Sequence, residues 1–130
     1  MAWFAGWRAR VAAITAHGLP ARVVGVRWSD APLVVELEAY DAVLPRSNAA
    51  RGWPLHVSLL FREELTDELS RHAVSLHERW SGRAVVLRVE WVGRGGAAML
   101  LASDALASDP DLRALHGAGY YKDRQVHVSL

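Results

Sequence analysis

The chain has 130 residues, 52% of them apolar, with six tryptophans and a formal net charge of +1. That is enough apolar material for one domain with a real core, and too much for a disordered segment. So small a charge argues against a long nucleic-acid duplex as partner, and the lack of cysteine excludes disulfides, thiolate nucleophiles and cysteine-ligated metals.

Trp3, Trp7, Val11 and Ile14 recur at helical spacing, and His17-Gly18 reads as the end of that helix. Arg8 and Arg10 interrupt this apolar start in a way a signal peptide does not, and no apolar run reaches a membrane span. A cytoplasmic protein without membrane contact is expected. Strands are predicted over Arg22 to Trp28 and over Pro32 to Tyr40, followed by a loop from Leu44 to Pro54 and the strand LHVSLLF. Leu65, Leu69, Leu76 and Trp80 mark a second helix. Strands over Val85 to Trp91 and Ala97 to Ser103 follow, joined by a glycine-rich turn at Gly93 to Gly96. A short helix with Pro110 in its first turn and Gly117 past its end precedes the final HVSL.

The order helix, strand, strand, connection, HVSL therefore occurs twice. A shift of 63 positions pairs Val23 with Val86, Val26 with Val89, Trp28 with Trp91 and Leu37 with Leu100 without a gap. The tetrapeptide itself recurs 71 positions on, from His56 to His127, so the second half gains 8 residues in its last connection. One domain over residues 1–130 is expected, with internal repeats 1–60 and 61–130.

On a strand, His56 and Ser58 point to one face while Val57 and Leu59 point to the other, and His127 and Ser129 alternate with Val128 and Leu130 in the same way. Two such strands in one cleft would offer two imidazoles and two hydroxyls. This set suits phosphodiester chemistry: one imidazole acts as base, its protonated twin as acid, and the hydroxyls donate to non-bridging oxygens. The plain alternative is a structural strand repeated by duplication. A metal site is not expected, because neither motif brings a carboxylate or a third histidine at ligand spacing, and no Ser-His-Asp order singles out a nucleophile.

The paired His-apolar-Ser-apolar tetrapeptides, each closing a matched half, resemble the 2H phosphoesterase superfamily, which includes bacterial 2′-5′ RNA ligase-like proteins and cyclic phosphodiesterases. The resemblance covers nearly the whole chain. It implies an α+β fold of two pseudo-symmetric antiparallel sheet lobes with helices outside and a central cleft. It also implies a metal-independent, cofactor-free phosphodiesterase acting on 2′,3′-cyclic phosphates or 2′-5′ linkages, with His56 and His127 catalytic and Ser58 and Ser129 holding the phosphate. Two features depart from the family. Both hydroxyl positions are serine where many relatives have threonine. The material that follows the second motif in many relatives stands at the front, as residues 3–40, like a circular permutation.

The loops entering the motifs bring Arg46, Arg51 and Trp53 to the first and Tyr120, Tyr121, Lys122 and Arg124 to the second. Cations beside aromatics suit a nucleotide or a short oligonucleotide, although solvated surface loops have the same composition. Trp53, Tyr121, Lys122 and Arg124 are the substrate-binding candidates. Arg62 joins them, because an even step from Ser58 would put it on the same face. His17 and His116 are expected at helix ends, where a cation favours the dipole, and His72 and His77 on a helix surface. Two rival functions remain open: a phosphodiesterase of cyclic oligonucleotide signals, and a module that binds a nucleotide without turning it over.

Overall fold

The computed structural model describes residues 18–39, 55–91, 98–101 and 104–129, with residues 39, 88–91, 98–101, 104 and 129 described by their backbone alone. The expected helix over Trp3 to Ile14, the loop over Leu44 to Pro54, the turn at Gly93 to Gly96 and Leu130 lie outside these residues. Within them the fold is α+β with an antiparallel sheet. The strands are β1 (Leu19–Trp28), β2 (Pro32–Ala39), β3 (Leu55–Phe61), β4 (Ala84–Trp91), β5 (Ala98–Leu101) and β6 (Val128–Ser129). They are hydrogen-bonded in the order β1-β2-β3-β6-β5-β4, and β4 returns to β1, so the sheet closes into a barrel.

Period-two alternation explains which residues fill the barrel. Leu19, Ala21 and Val23 on β1, Leu33, Val35 and Leu37 on β2, and Leu55, Val57 and Leu59 on β3 are all buried in one apolar cluster. The opposite face of β1 and β2 carries charged residues beside the fully buried Val34. There Arg22 pairs with Glu38 at 2.6 Å and Arg27 with Glu36 at 3.1 Å, cross-strand ion pairs that favour this register.

Closure leaves one edge to be covered. β4 pairs only with Leu19 to Arg22, so the second half of β1 would expose unpaired amides. The helix α1 (Asp67–Trp80) and the turn after it take these up. Val23 donates its N–H to the Arg83 carbonyl at 2.9 Å, Gly82 donates to the Val23 carbonyl at 2.7 Å, and Val26 donates to His77 Nδ1 at 3.0 Å. The ring comes this close because Gly25 lies beneath it: a Cβ there would sit 2.7 Å from His77 Cε1. His77 is exposed on the helix surface, as expected, and there it also caps the sheet edge.

Thr66 starts α1 by accepting the Leu69 N–H at 3.2 Å, and Asp67 and Glu68 in the first turn complement the helix dipole. Leu76 and Trp80 are buried on its inner face, with Leu69 and Ala73 packed beside them. Two short helices, α2 (Asp104–Ala107) and α3 (Pro110–His116), follow β5. Asp109 caps α3, accepting the N–H groups of Asp111 at 2.8 Å and Leu112 at 3.2 Å.

The same carboxylate fastens α3 to α1. It accepts Trp80 Nε1–H at 2.7 Å and two Arg79 guanidinium N–H groups at 3.0 and 2.9 Å. Asp111 extends the clamp by accepting from Arg79 and from His72 Nδ1–H, the latter at 2.7 Å. Burial disfavours the Asp109 charge, but Trp80, the α3 amides and Arg79 outweigh it, so its pKa lies below the ordinary value; His72 and then Arg79 lower that of Asp111.

Several boundaries differ from those read in the sequence. β1 begins at Leu19 rather than Arg22, because Leu19 to Arg22 have a partner in β4 that periodicity alone cannot reveal. β5 covers Ala98–Leu101, shorter than Ala97 to Ser103, and the extra turn α2 takes up part of the chain after it. Gly117 caps α3 in a right-handed conformation (φ −76°), so left-handed freedom is not its role.

Candidate active site

The first motif sits in the middle of β3. Val57 and Leu59 are fully buried, while His56 and Ser58 are half-buried on the other face. The second motif enters β6, where Val128 is fully buried and His127, one residue before it, is half-buried. β3 and β6 are neighbours, paired at Val57 and Val128. In this antiparallel register His127 falls opposite Ser58, and Ser129 opposite His56. Directly opposed Cβ atoms lie about 5 Å apart and diagonal neighbours about 7–8 Å apart. The two histidines therefore occupy diagonal positions on one face, separated by roughly the space a phosphate needs. The Ser129 side chain lies outside the described residues.

The orientation of His127 follows from its own segment. Its Nδ1 lies 2.7 Å from the Gln125 carbonyl, which only accepts, so Nδ1 carries the proton. In the neutral ring Nε2 is then left with a lone pair, as a general base requires. Across the sheet from His56 stands Glu36, its register partner on β2, whose carboxylate is largely buried and paired with Arg27. Val34, fully buried, is the register partner of Ser58. Glu36 is the neighbour that sequence reading missed: only the β2–β3 register brings it beside the motif.

The aromatic flank differs from the expected one. β3 carries a bulge, with Leu33 opposite Leu60 and Val34 opposite Ser58, so Leu59 and Leu60 both turn into the core. The bulge reverses the alternation after Ser58. Phe61, not Arg62, comes to the motif face, and the strand ends there. Arg62 opens a 3-10 turn and lies over the Trp28 ring at 4.4 Å, so its expected reach toward the Ser58 phosphate position does not hold.

Tyr121 stands on a turn, outside β6. It packs on Phe61 at 5.6 Å between ring centroids and edge-on to Tyr120 at 5.2 Å. Tyr120, 59% exposed, is the ring of this cluster open to a base, and Arg124 lies over both tyrosines. Gly119 lets the segment approach β3: a Cβ there would meet Glu64 Oε2 at 2.5 Å, and Glu64 is engaged in accepting the Phe61 N–H at 2.9 Å.

Lys122 and Arg124 line a recess of about 420 Å³ beside this segment, together with His116. The expectation that His116 acts as a helix-end cation is overturned. It is only 6% exposed, and burial, then the nearby His127 and Arg113, push its pKa below 6.5, so the ring is neutral. Trp53, Arg46 and Arg51 lie outside the described residues. Among the described residues no three His, Asp or Glu side chains gather as a metal site would need, and no helix is long and apolar enough to cross a membrane. Compared with family models, curated proteins and solved structures, the chain has no significant match.

Proposed function

We propose that the protein is a metal-independent phosphodiesterase of the 2H type, acting on a nucleotide phosphodiester that involves a ribose 2′-oxygen. The observation that carries this reading is the β3–β6 pairing at Val57 and Val128, which brings the two His-Val-Ser segments side by side. Strand registers also support an origin by duplication. Trp28 and Trp91, 63 apart, face Leu33 and Ala98, 65 apart, and Val57 and Val128, 71 apart, face Val35 and Leu100. The offset of 65 in the second strand reflects the longer β4–β5 turn, and it replaces the gapless shift of 63. At the two seams the pairs Ala21–Val85 and Arg22–Ala84 exchange under the 63-residue offset, and Val57–Val128 maps onto itself under 71. A pseudo-two-fold axis through the barrel accounts for both.

The chemistry needs no covalent intermediate. His127 Nε2 takes a proton from water, or from a ribose hydroxyl, whose oxygen attacks phosphorus. The bond from phosphorus to the leaving ribose oxygen breaks, and protonated His56 delivers a proton to that oxygen. Ser58 and Ser129 hydroxyls donate to the non-bridging oxygens, which hold the phosphoryl group in line between the rings.

The test is turnover of 2′,3′-cyclic nucleotides, 2′-5′ dinucleotides and cyclic dinucleotides by purified protein in excess chelator. Hydrolysis with a bell-shaped pH profile, abolished in His56→Ala and in His127→Ala, is expected. Activity that disappears on chelation contradicts the metal-free mechanism, and binding without product over long incubation contradicts catalysis.

A further inference from the structure

The arginines away from the motif face are mostly engaged. Arg22, Arg27 and Arg79 pair with carboxylates, and Arg62 and Arg83 lie over indole rings. Arg113, Lys122 and Arg124, the last also lying over the Tyr120 and Tyr121 rings, gather around the 420 Å³ recess, whose polar wall is completed by His116, Asp123 and Gln125. Among the described residues, none of these three cations is ion-paired. Asp123 offsets one charge, which leaves the wall net positive, and a concave positive wall concentrates anions.

A second observation points to a ligand. The His116 ring is nine-tenths buried at this wall and makes no hydrogen bond among the described residues. No buried side-chain nitrogen among the described residues lacks a partner, so a His116 ring nitrogen without one is open to solvent at this wall, where an acceptor can reach it. A neutral imidazole keeps one N–H to donate, and a phosphate oxygen is an acceptor that Arg113, Lys122 and Arg124 would also hold.

We propose that this recess binds a second phosphate of the substrate, carried on O5′ of the nucleoside whose 2′-phosphoryl group reacts at His127. The proposal rests on reading His56 and His127 as the phosphodiesterase pair. The recess adjoins that pair directly: Gln125 lines it, and the Gln125 carbonyl is the acceptor that orients His127. Its volume falls within the roughly 300–1,000 Å³ of small-molecule sites. In a 2′,3′-cyclic phosphate the reacting group occupies both O2′ and O3′, so O5′ is the ribose oxygen left to carry another phosphate. The favoured substrates are then 5′-phosphorylated nucleotides or 5′-phosphorylated ends, over nucleosides with a free 5′-hydroxyl.

Calorimetry with two unreactive probes tests this, adenosine 2′-monophosphate and adenosine 2′,5′-bisphosphate, on the wild type and on Arg113→Gln and Lys122→Gln. Both altered side chains are exposed, so folding is not at stake. The bisphosphate is expected to bind roughly tenfold more tightly than the monophosphate, to shift the His116 ring resonances, and to lose most of that advantage in either variant. Equal affinity for the two probes, or an advantage that survives both substitutions, overturns the proposal. The hydrolase reading fails on a different result, the absence of turnover in the substrate panel, which leaves this binding comparison intact.

Discussion

Asp109→Ala probes the clamp that holds α3, and with it the segment carrying His127, against α1. Three contributions are lost. The α3 cap, made to the Asp111 and Leu112 amides, is worth about 1 kcal/mol. Trp80 is only 5% exposed, and leaving its indole N–H without an acceptor costs about 1–3 kcal/mol. The Arg79 side chain is 43% exposed and rehydrates, so its lost ion pair adds little. The expected loss is about 2–4 kcal/mol. Urea denaturation, followed by tryptophan fluorescence and by far-ultraviolet circular dichroism, measures it. Asp109→Asn keeps one cap oxygen but turns an amide donor toward Trp80 or Arg79, so it should fall between Ala and wild type. A cost for Asp109→Ala below about 0.5 kcal/mol, within the range of ordinary surface changes, would refute the clamp.

Stability should also fall with acidification in two stages. His116 has a folded pKa below 6.5, so its share is complete above pH 6.5 and is lost as pH falls from there toward the folded value; His116→Gln flattens that stage in urea midpoints measured from pH 7.5 to 5. Asp109 and Asp111 have folded values below 3.8, so their share persists to about that pH and disappears below it, a stage that Asp109→Ala diminishes. Gly25→Ala displaces His77 from the β1 edge and orphans the Val26 amide, for a cost of about 1–2 kcal/mol and faster hydrogen exchange at Val26. Tyr120→Ala removes an exposed stacking platform. It should raise KM about fivefold or more while leaving Tm unchanged, and an unaltered KM removes Tyr120 from the site.

Much of this arrangement is legible in the chain because it is written in local period. The alternation of LHVSLLF, the Leu69 to Trp80 stripe and the Pro110 turn each predict their element, and the repeated tetrapeptide points to the motif face. Pairing partners leave less trace. The β3 bulge turns Leu60 inward and moves Arg62 off the face, and no residue between Ser58 and Phe61 signals it. His72, His77 and His116 share the composition of a solvated helix surface. What distinguishes them is Asp111, the Val26 amide and a buried recess, all more than ten residues away or dependent on how the chain returns. Glu36 becomes a neighbour of His56 only through the β2–β3 register.

The central claim is that one phosphate group is held between the imidazoles of His56 and His127 on adjacent strands. Titration of selectively labelled protein with adenosine 2′-monophosphate, with both rings followed by their nitrogen and carbon resonances, tests it most directly. The account predicts that both rings shift along one binding curve with a single Kd, and that replacing either histidine weakens the response of the other. Shifts confined to one ring, or two rings moving with different affinities, would contradict it.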